Sequence, residues 1–225
     1  MKGINQFIKG TDWRIIYSSA DPLDVSEARV ESTAFRRDEY YSTASFVSSV
    51  PQSTFSFDNY NLSLPALDYD KALPSASYLV DSKCSPPASK RHRWVGAVSS
   101  HYPVAHYGRC DHDTDLPKGM SLSKREDRIE LHRQHRFNLA FEASNEKDQI
   151  TELIWDAFQS GSLPVVLGPT NIESHFPPNS FINAGRFQSY DQLGEYVKQV
   201  SENKTLWESY NEWRKDFNVL QSFKQ

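Results

Sequence analysis

The chain has no broad excess of either charge, little cysteine and no long apolar run, and each shortage excludes a class of protein. Lysine and arginine number 25 against 29 aspartate and glutamate, a formal net charge of −4. The pI is about 6.0. Such a balance leaves no electrostatic footprint for nucleic acid, and no nucleic-acid partner is expected. Apolar runs are short, as at Leu163–Leu167. They fall far below the roughly 20 residues of a membrane span. Lys2, Lys9 and Arg14 have no continuous apolar stretch beside them, so residues 1–30 do not read as a signal peptide. The chain as given is expected to be soluble. Cys84 and Cys110 are too far apart for a CxxC redox or zinc motif. They read as buried thiols, or as a disulfide if the protein is lumenal. The sequons Asn61-Leu62-Ser63 and Asn203-Lys204-Thr205 are compatible with a secretory location. No internal repeat is visible.

What is present is enough for a core: 38% of the 225 residues are hydrophobic and 13% aromatic. A mean hydropathy of −0.65 implies sizeable loops or a poorly ordered end. Trp13–Tyr17 has strand composition, and Ala20-Asp21-Pro22 reads as a turn. Residues 42–60 read as an irregular connection with a short strand at Ala44–Val47. From residue 76 strands and helices alternate. Strands are expected at Tyr78–Val80, Val104–Tyr107, Phe137–Phe141, Leu163–Leu167 and Phe181-Ile182. Helices are expected at Lys90–Ser100, Ser123–His135, Gln149–Ser160, Tyr190–Val200 and Leu206–Phe217. Leu163–Leu167 is apolar throughout, as in a strand buried on both faces. The pattern predicts an α/β domain, a Rossmann-like, doubly wound, mostly parallel sheet over residues 76–217. The first 60 or so residues are too few for a second complete domain of the same kind, and 218–225 read as a tail.

The chemistry concentrates at residues 142–152, a polar loop running into a helix. A helix start offers backbone N–H groups to an anion such as a diphosphate. Asp148 is a natural N-cap there, with Thr151 and Glu152 in the first turn. Capping and dipole complementation alone would also account for Asp148 and Glu152. The basic run Lys90-Arg91-His92-Arg93 suits a phosphate-facing helix start. Asp111-His112-Asp113-Thr114-Asp115 reads as a solvated loop rather than a metal site. Trp207, Tyr210 and Trp213 read as core packing rather than a carbohydrate platform. His132, His135 and Arg136 read as surface residues.

Several segments taken together resemble the α-1,3/α-1,4-fucosyltransferases, which use GDP-fucose. Phe141-Glu142-Ala143-Ser144, Gln149-Ile150-Thr151-Glu152-Leu153 and Leu163-Pro164-Val165-Val166-Leu167-Gly168 are similar to that family's Phe-Glu-Asn-Ser, Tyr-Val-Thr-Glu-Lys and Val-Pro-Val-Val-x-Gly. Upstream, Ser82-Lys83-Cys84 resembles Ser-Asn-Cys, Arg91-His92-Arg93-Trp94-Val95 resembles Arg-x-x-Tyr-Val, and Tyr107-Gly108-Arg109-Cys110 resembles Tyr-Gly-Arg/Lys-Cys. Glu31-Ser32 and Ser48-Ser49-Val50-Pro51 match acceptor-side segments more weakly. The order of the matches is the family's order.

The resemblance implies the C-terminal half of a two-domain, GT-B-type glycosyltransferase with an incomplete N-terminal half, residues 1–75 being a remnant of the acceptor side. It implies inverting transfer of fucose from GDP-fucose to a glycan acceptor, commonly one containing GlcNAc. It implies Glu31 as the catalytic base and Ser82, Arg91, Glu142, Thr151, Glu152 and Gly168 as the donor site, with no metal and no cofactor required. It implies the Golgi lumen, with membrane attachment only through a segment missing from this chain. The departures matter as much. Leu153 stands at the lysine position, Gln149 at the tyrosine, Ala143 and Lys83 at two asparagines, and Ser49 at the aspartate. A lost charge-assisted phosphate contact costs about 1.5–3 kcal/mol. The alternative expectation is therefore an inactive or fragmentary relative that keeps only the nucleotide-binding fold.

Overall fold

The computed structural model describes residues 60–62, 64–80, 90–109, 111–216 and 219, and the backbone of four N-terminal strands. These are β1 (Ile4–Lys9), β2 (Asp12–Ser18), β3 (Tyr40–Thr43) and β4 (Val50–Pro51). β1 and β2 pair antiparallel, with Ile4 opposite Tyr17 and Lys9 opposite Asp12. β3 runs parallel to β2, and β4 parallel to β3. The strand expected at Trp13–Tyr17 lies within β2. That expected at Ala44–Val47 falls outside the described residues.

The second sheet positions the chemistry. In chain order its elements are β5 (Leu73–Tyr78), α1 (Arg91–His101), β6 (Val104–His106), α2 (Arg125–Arg133) and β7 (His135–Phe141). They continue with α3 (Glu152–Ser160), β8 (Leu163–Leu167), β9 (Ile182–Asn183), α4 (Tyr190–Ser201) and α5 (Lys204–Ser209). The strand order is β6-β5-β7-β8-β9, and every pairing is parallel. Parallel neighbours need crossovers, and the helices supply them on both faces. Side chains alternate across the sheet accordingly. Phe137, Leu139 and Phe141 of β7 join Leu163, Val165 and Leu167 of β8 in one core with α1 and α4. Ala140 and Val166 face the other way, onto Ile154, Ala157 and Phe158 of α3. The expected doubly wound α/β sheet is the observed one.

Tyr60 and Leu62 are buried in the α3-side core. The buried guanidinium of Arg214 donates to the carbonyls of Leu62 and Leu64. Strand β5 starts at Leu73, so the boundary expected at residue 76 falls inside it.

Several expectations need correction. The strand expected at Tyr78–Val80 runs two residues past the end of β5 and misses its start, because the serines and proline of Leu73–Tyr78 hide its apolar signal. Ser77 is nevertheless fully buried, because its hydroxyl bonds Nδ1 of His132 at 2.7 Å. His132 and His135 are therefore core residues, 3% and 2% exposed, not surface ones. Arg136 is half-buried, its guanidinium 3.7 Å above the Tyr69 ring. The single helix expected over Leu206–Phe217 is broken: α5 ends at Ser209 and a 3-10 turn follows at Glu212–Lys215. The break sends Trp207 into the α1/α4 core and Trp213 into the α3 core. Gly161, with φ 78°, stops α3 as expected.

Helices α1 and α4 meet at Gly194, where a Cβ would stand 2.6 Å from the Ala97 carbonyl oxygen and 2.6 Å from Cδ2 of His101. The oxygen is backbone and cannot swing aside. Gly194→Ala should force the helices apart and destabilise the fold by about 1–3 kcal/mol, read from the urea midpoint. An unchanged midpoint would mean that α1 and α4 do not approach this closely.

Candidate functional site

In a sheet of this order the chain leaves β5 toward β6 on one side, then crosses back to β7 on the other. The carboxyl ends of β5 and β7 lie side by side where the direction reverses, the position at which open α/β sheets bind their ligands. The starts of α1 and α3 follow these two strands, so the positive ends of two helix dipoles converge on the same edge.

Glu142 directly follows β7 and is only 2% exposed. Its backbone N–H donates to the Leu167 carbonyl at 2.7 Å, continuing the sheet one residue further. Its carboxyl group spans the loop to α3. Oε1 accepts from the Thr151 backbone N–H at 2.7 Å, and the Thr151 hydroxyl lies 2.8 and 3.0 Å from the two oxygens. The same Thr151 oxygen accepts from the Leu153 N–H at 3.3 Å, which makes Thr151 the N-cap. Burial pushes the Glu142 carboxyl up to about 7, and the charge of Glu152 pushes the same way. The Thr151 hydrogen bonds and the Arg91 charge oppose the rise.

Arg91 opens α1, is 8% exposed, and donates from Nη1 to the Phe141 carbonyl at 3.3 Å. Arg91, Glu142 and Thr151 are therefore brought together at the switch point. Glu152 is exposed at the first position of α3, and Leu153 is half-buried beside it. Gly168 closes β8 on the same edge, where a Cβ would come within 3.2 Å of Cδ1 of Ile154. That contact gives Gly168 a packing reason of its own. Ser82 and Glu31 lie outside the described residues.

The expected cap at Asp148 is a correction. Helix α3 begins three residues later than the pattern implies, and Asp148 does different work. It sits at φ 66°, a left-handed turn that Asp tolerates better than most residues. Its Oδ1 accepts from Asn171 Nδ2 at 2.7 Å, and its N–H donates to Asn171 Oδ1 at 3.0 Å. His175 Nε2 stands 3.6 Å from the same Oδ1. This clasp fixes the loop entering α3 to the turn that follows β8. Sequence reading does not single out Asn171 and His175. Their one signal is the i, i+4 spacing after Gly168-Pro169.

The loop at residues 111–115 folds on itself. Asp113 Oδ1 accepts from the His106 N–H at 2.9 Å and from the Thr114 hydroxyl at 2.6 Å. Among the described residues no group of three or more His, Cys, Asp or Glu side chains is arranged to hold a metal.

Comparison with known proteins now bears on this edge. The family described as "Glycosyltransferase family 10 (fucosyltransferase) C-term" matches residues 71–225. GDP-fucose protein O-fucosyltransferase 3 of Xenopus tropicalis is 35% identical over 153 residues, 66% of this chain and 32% of that protein. The 4-galactosyl-N-acetylglucosaminide 3-alpha-L-fucosyltransferase 9 of Mus musculus is 49% identical over 86 residues, 37% of this chain and 24% of the relative. The chain thus spans a third or less of these curated relatives. A crystal structure of an alpha1,3-fucosyltransferase with GDP-fucose superposes over 90% of this chain and 67% of its own, with a TM-score of 0.61 at 19% identity. A second alpha1,3-fucosyltransferase structure covers 68% of this chain and 38% of its own, with a TM-score of 0.51 at 23% identity. Those two likenesses speak to fold. The family match covers more than half of the chain and takes in both helix starts and the Glu142–Thr151 bridge, so the chain belongs to glycosyltransferase family 10, the fucosyltransferases, through their C-terminal domain.

Proposed function

We propose that this chain is the donor-binding lobe of a fucosyltransferase that takes fucose from GDP-fucose and passes it, with inversion, to a glycan acceptor. The observation that carries the reading is the Glu142–Thr151 bridge. It presents the start of α3 at the switch point beside a buried cation, Arg91. A diphosphate leaving the anomeric carbon needs donors and a cation fixed before the charge develops, and this edge supplies both. The proposed donor site is Arg91, Thr151, Glu152, Glu142, Gly168 and Ser82. Glu31 is the proposed base that removes the acceptor hydroxyl proton. The proposed setting is the Golgi lumen, in keeping with the family resemblance and the two sequons.

One observation favours a second reading, an inactive relative that keeps the nucleotide fold. Leu153 occupies the position at which the family pattern has its lysine, and it can neither pair with nor hydrogen-bond a phosphate. Calorimetry with GDP and UDP tests the donor site. GDP should bind, weakly, and in preference to UDP. Equal affinities, or no heat from either, would sink the nucleotide assignment. Binding of GDP without fucosyl transfer to any glycan would favour the second reading.

A further inference from the structure

A groove of about 440 Å³ runs beside β9, the edge strand of the sheet, away from Arg91 and Glu142. This is within the usual size of a small-ligand site. One wall is aromatic: the Phe187 and Tyr196 rings lie 5.5 Å apart, and Tyr210 continues the surface. The Tyr196 and Tyr210 hydroxyls are 2.7 Å apart, so one gives its hydrogen to the other. The second keeps its hydrogen, and none of the described residues accepts it. The other wall is planar and polar. Arg186 clasps both oxygens of Glu173, and Asn183 Nδ2 donates to Glu173 Oε1 at 2.9 Å.

Aromatic faces beside in-plane donors and acceptors suit a pyranose, whose C–H face is apolar and whose edge carries hydroxyls. Glu173 neutralises Arg186, so the groove offers no net cation to a second phosphate. β9 is two residues long, too short an edge for an extended peptide to pair with. Along the chain, the groove adjoins the turn that holds the loop entering α3. Glu173 is two residues beyond Asn171, which holds Asp148 in the loop entering α3.

We propose that this groove binds sugar units of a neutral acceptor glycan other than the one that receives fucose. The word acceptor rests on the fucosyltransferase reading; the affinity for saccharide does not. The test is saturation-transfer NMR of the full chain with N-acetyllactosamine, with a GDP titration run in parallel. Arg186 is exposed, so Arg186→Ala keeps the fold, and Phe187→Ala removes the stacking face. Each should weaken saccharide binding about fivefold or more, with the GDP titration and circular dichroism unchanged. No saturation transfer, or equal transfer in wild type and Arg186→Ala, would overturn the groove, as would displacement of the saccharide by an unglycosylated peptide. Saccharide binding without GDP binding would support the groove and overturn the donor reading instead.

Discussion

His132→Asn should flatten the acid limb of this protein's stability. His132 is wholly buried, and burial, with the neighbouring His135 and Arg128 charges, pushes its imidazole down to about 3. Burial likewise takes His135 down to about 4, its ring held between the Ser75 hydroxyl at 2.7 Å and the Tyr107 hydroxyl at 2.9 Å. Both folded values lie below the unfolded value of about 6.5. The folded chain therefore binds fewer protons, and the stability these groups carry is intact above about pH 6.5 and lost as pH falls toward 4 and 3. Glu142 and Asp156 have the opposite sign. Burial raises them to about 7 and about 6, so their contribution is full at low pH and lost as pH rises through those values. The two effects oppose each other between pH 7 and 4, and below that only the histidine loss continues. Asparagine puts an amide atom near the position of Nδ1 and keeps a partner for Ser77 while removing the titration. The variant should be less stable than wild type at pH 7, because it loses ring volume. Its deficit should shrink by about 3 kcal/mol by pH 4, at about 1.4 kcal/mol for each pH unit below 6.5. Urea midpoints at pH 7, 5.5 and 4 measure this. Parallel pH curves for the two proteins would mean that His132 is not held neutral in the fold.

The same histidines mark where the sequence stops being legible. Periodicity locates α1, β8 and α4 to within a residue, since Val95, Val98, Leu193, Val197 and Val200 repeat at helical spacing and Leu163–Leu167 is apolar throughout. It misplaces β5, whose serines pair with histidines that no local pattern announces. It starts α3 early, because Asp148 and Thr151 are both good caps. The choice between them is made by Glu142, nine residues before Thr151, and by Asn171, 23 residues after Asp148. The candidate site shows the same division. Family resemblance picks out Arg91, Glu142, Thr151 and Gly168. That Arg91 spends one donor on the Phe141 carbonyl, and that Asn171 and His175 hold the loop, are tertiary facts with no sequence period.

The largest change in ligand affinity is expected from Leu153→Lys. Leu153 is the second residue of α3, half-buried, with its N–H tied to the Thr151 hydroxyl oxygen. A lysine stem can cover the same apolar surface while its ammonium reaches toward solvent or ligand. The helix start already favours an anion, and an ammonium adds a direct charge. If a diphosphate lies at this edge, one new charge-assisted contact should contribute about 1.5–3 kcal/mol, about ten- to a hundredfold in affinity. An exposed pair away from the ligand would contribute about 0–1 kcal/mol. The gain should follow the phosphates and not the base. GDP and UDP should therefore tighten by the same factor, with their preference order kept, while guanosine should not respond. Titrating the three ligands into wild type and variant separates the cases. An unchanged GDP affinity would mean that the start of α3 does not face the diphosphate, and the donor site proposed for Arg91, Glu142 and Thr151 would fall with it.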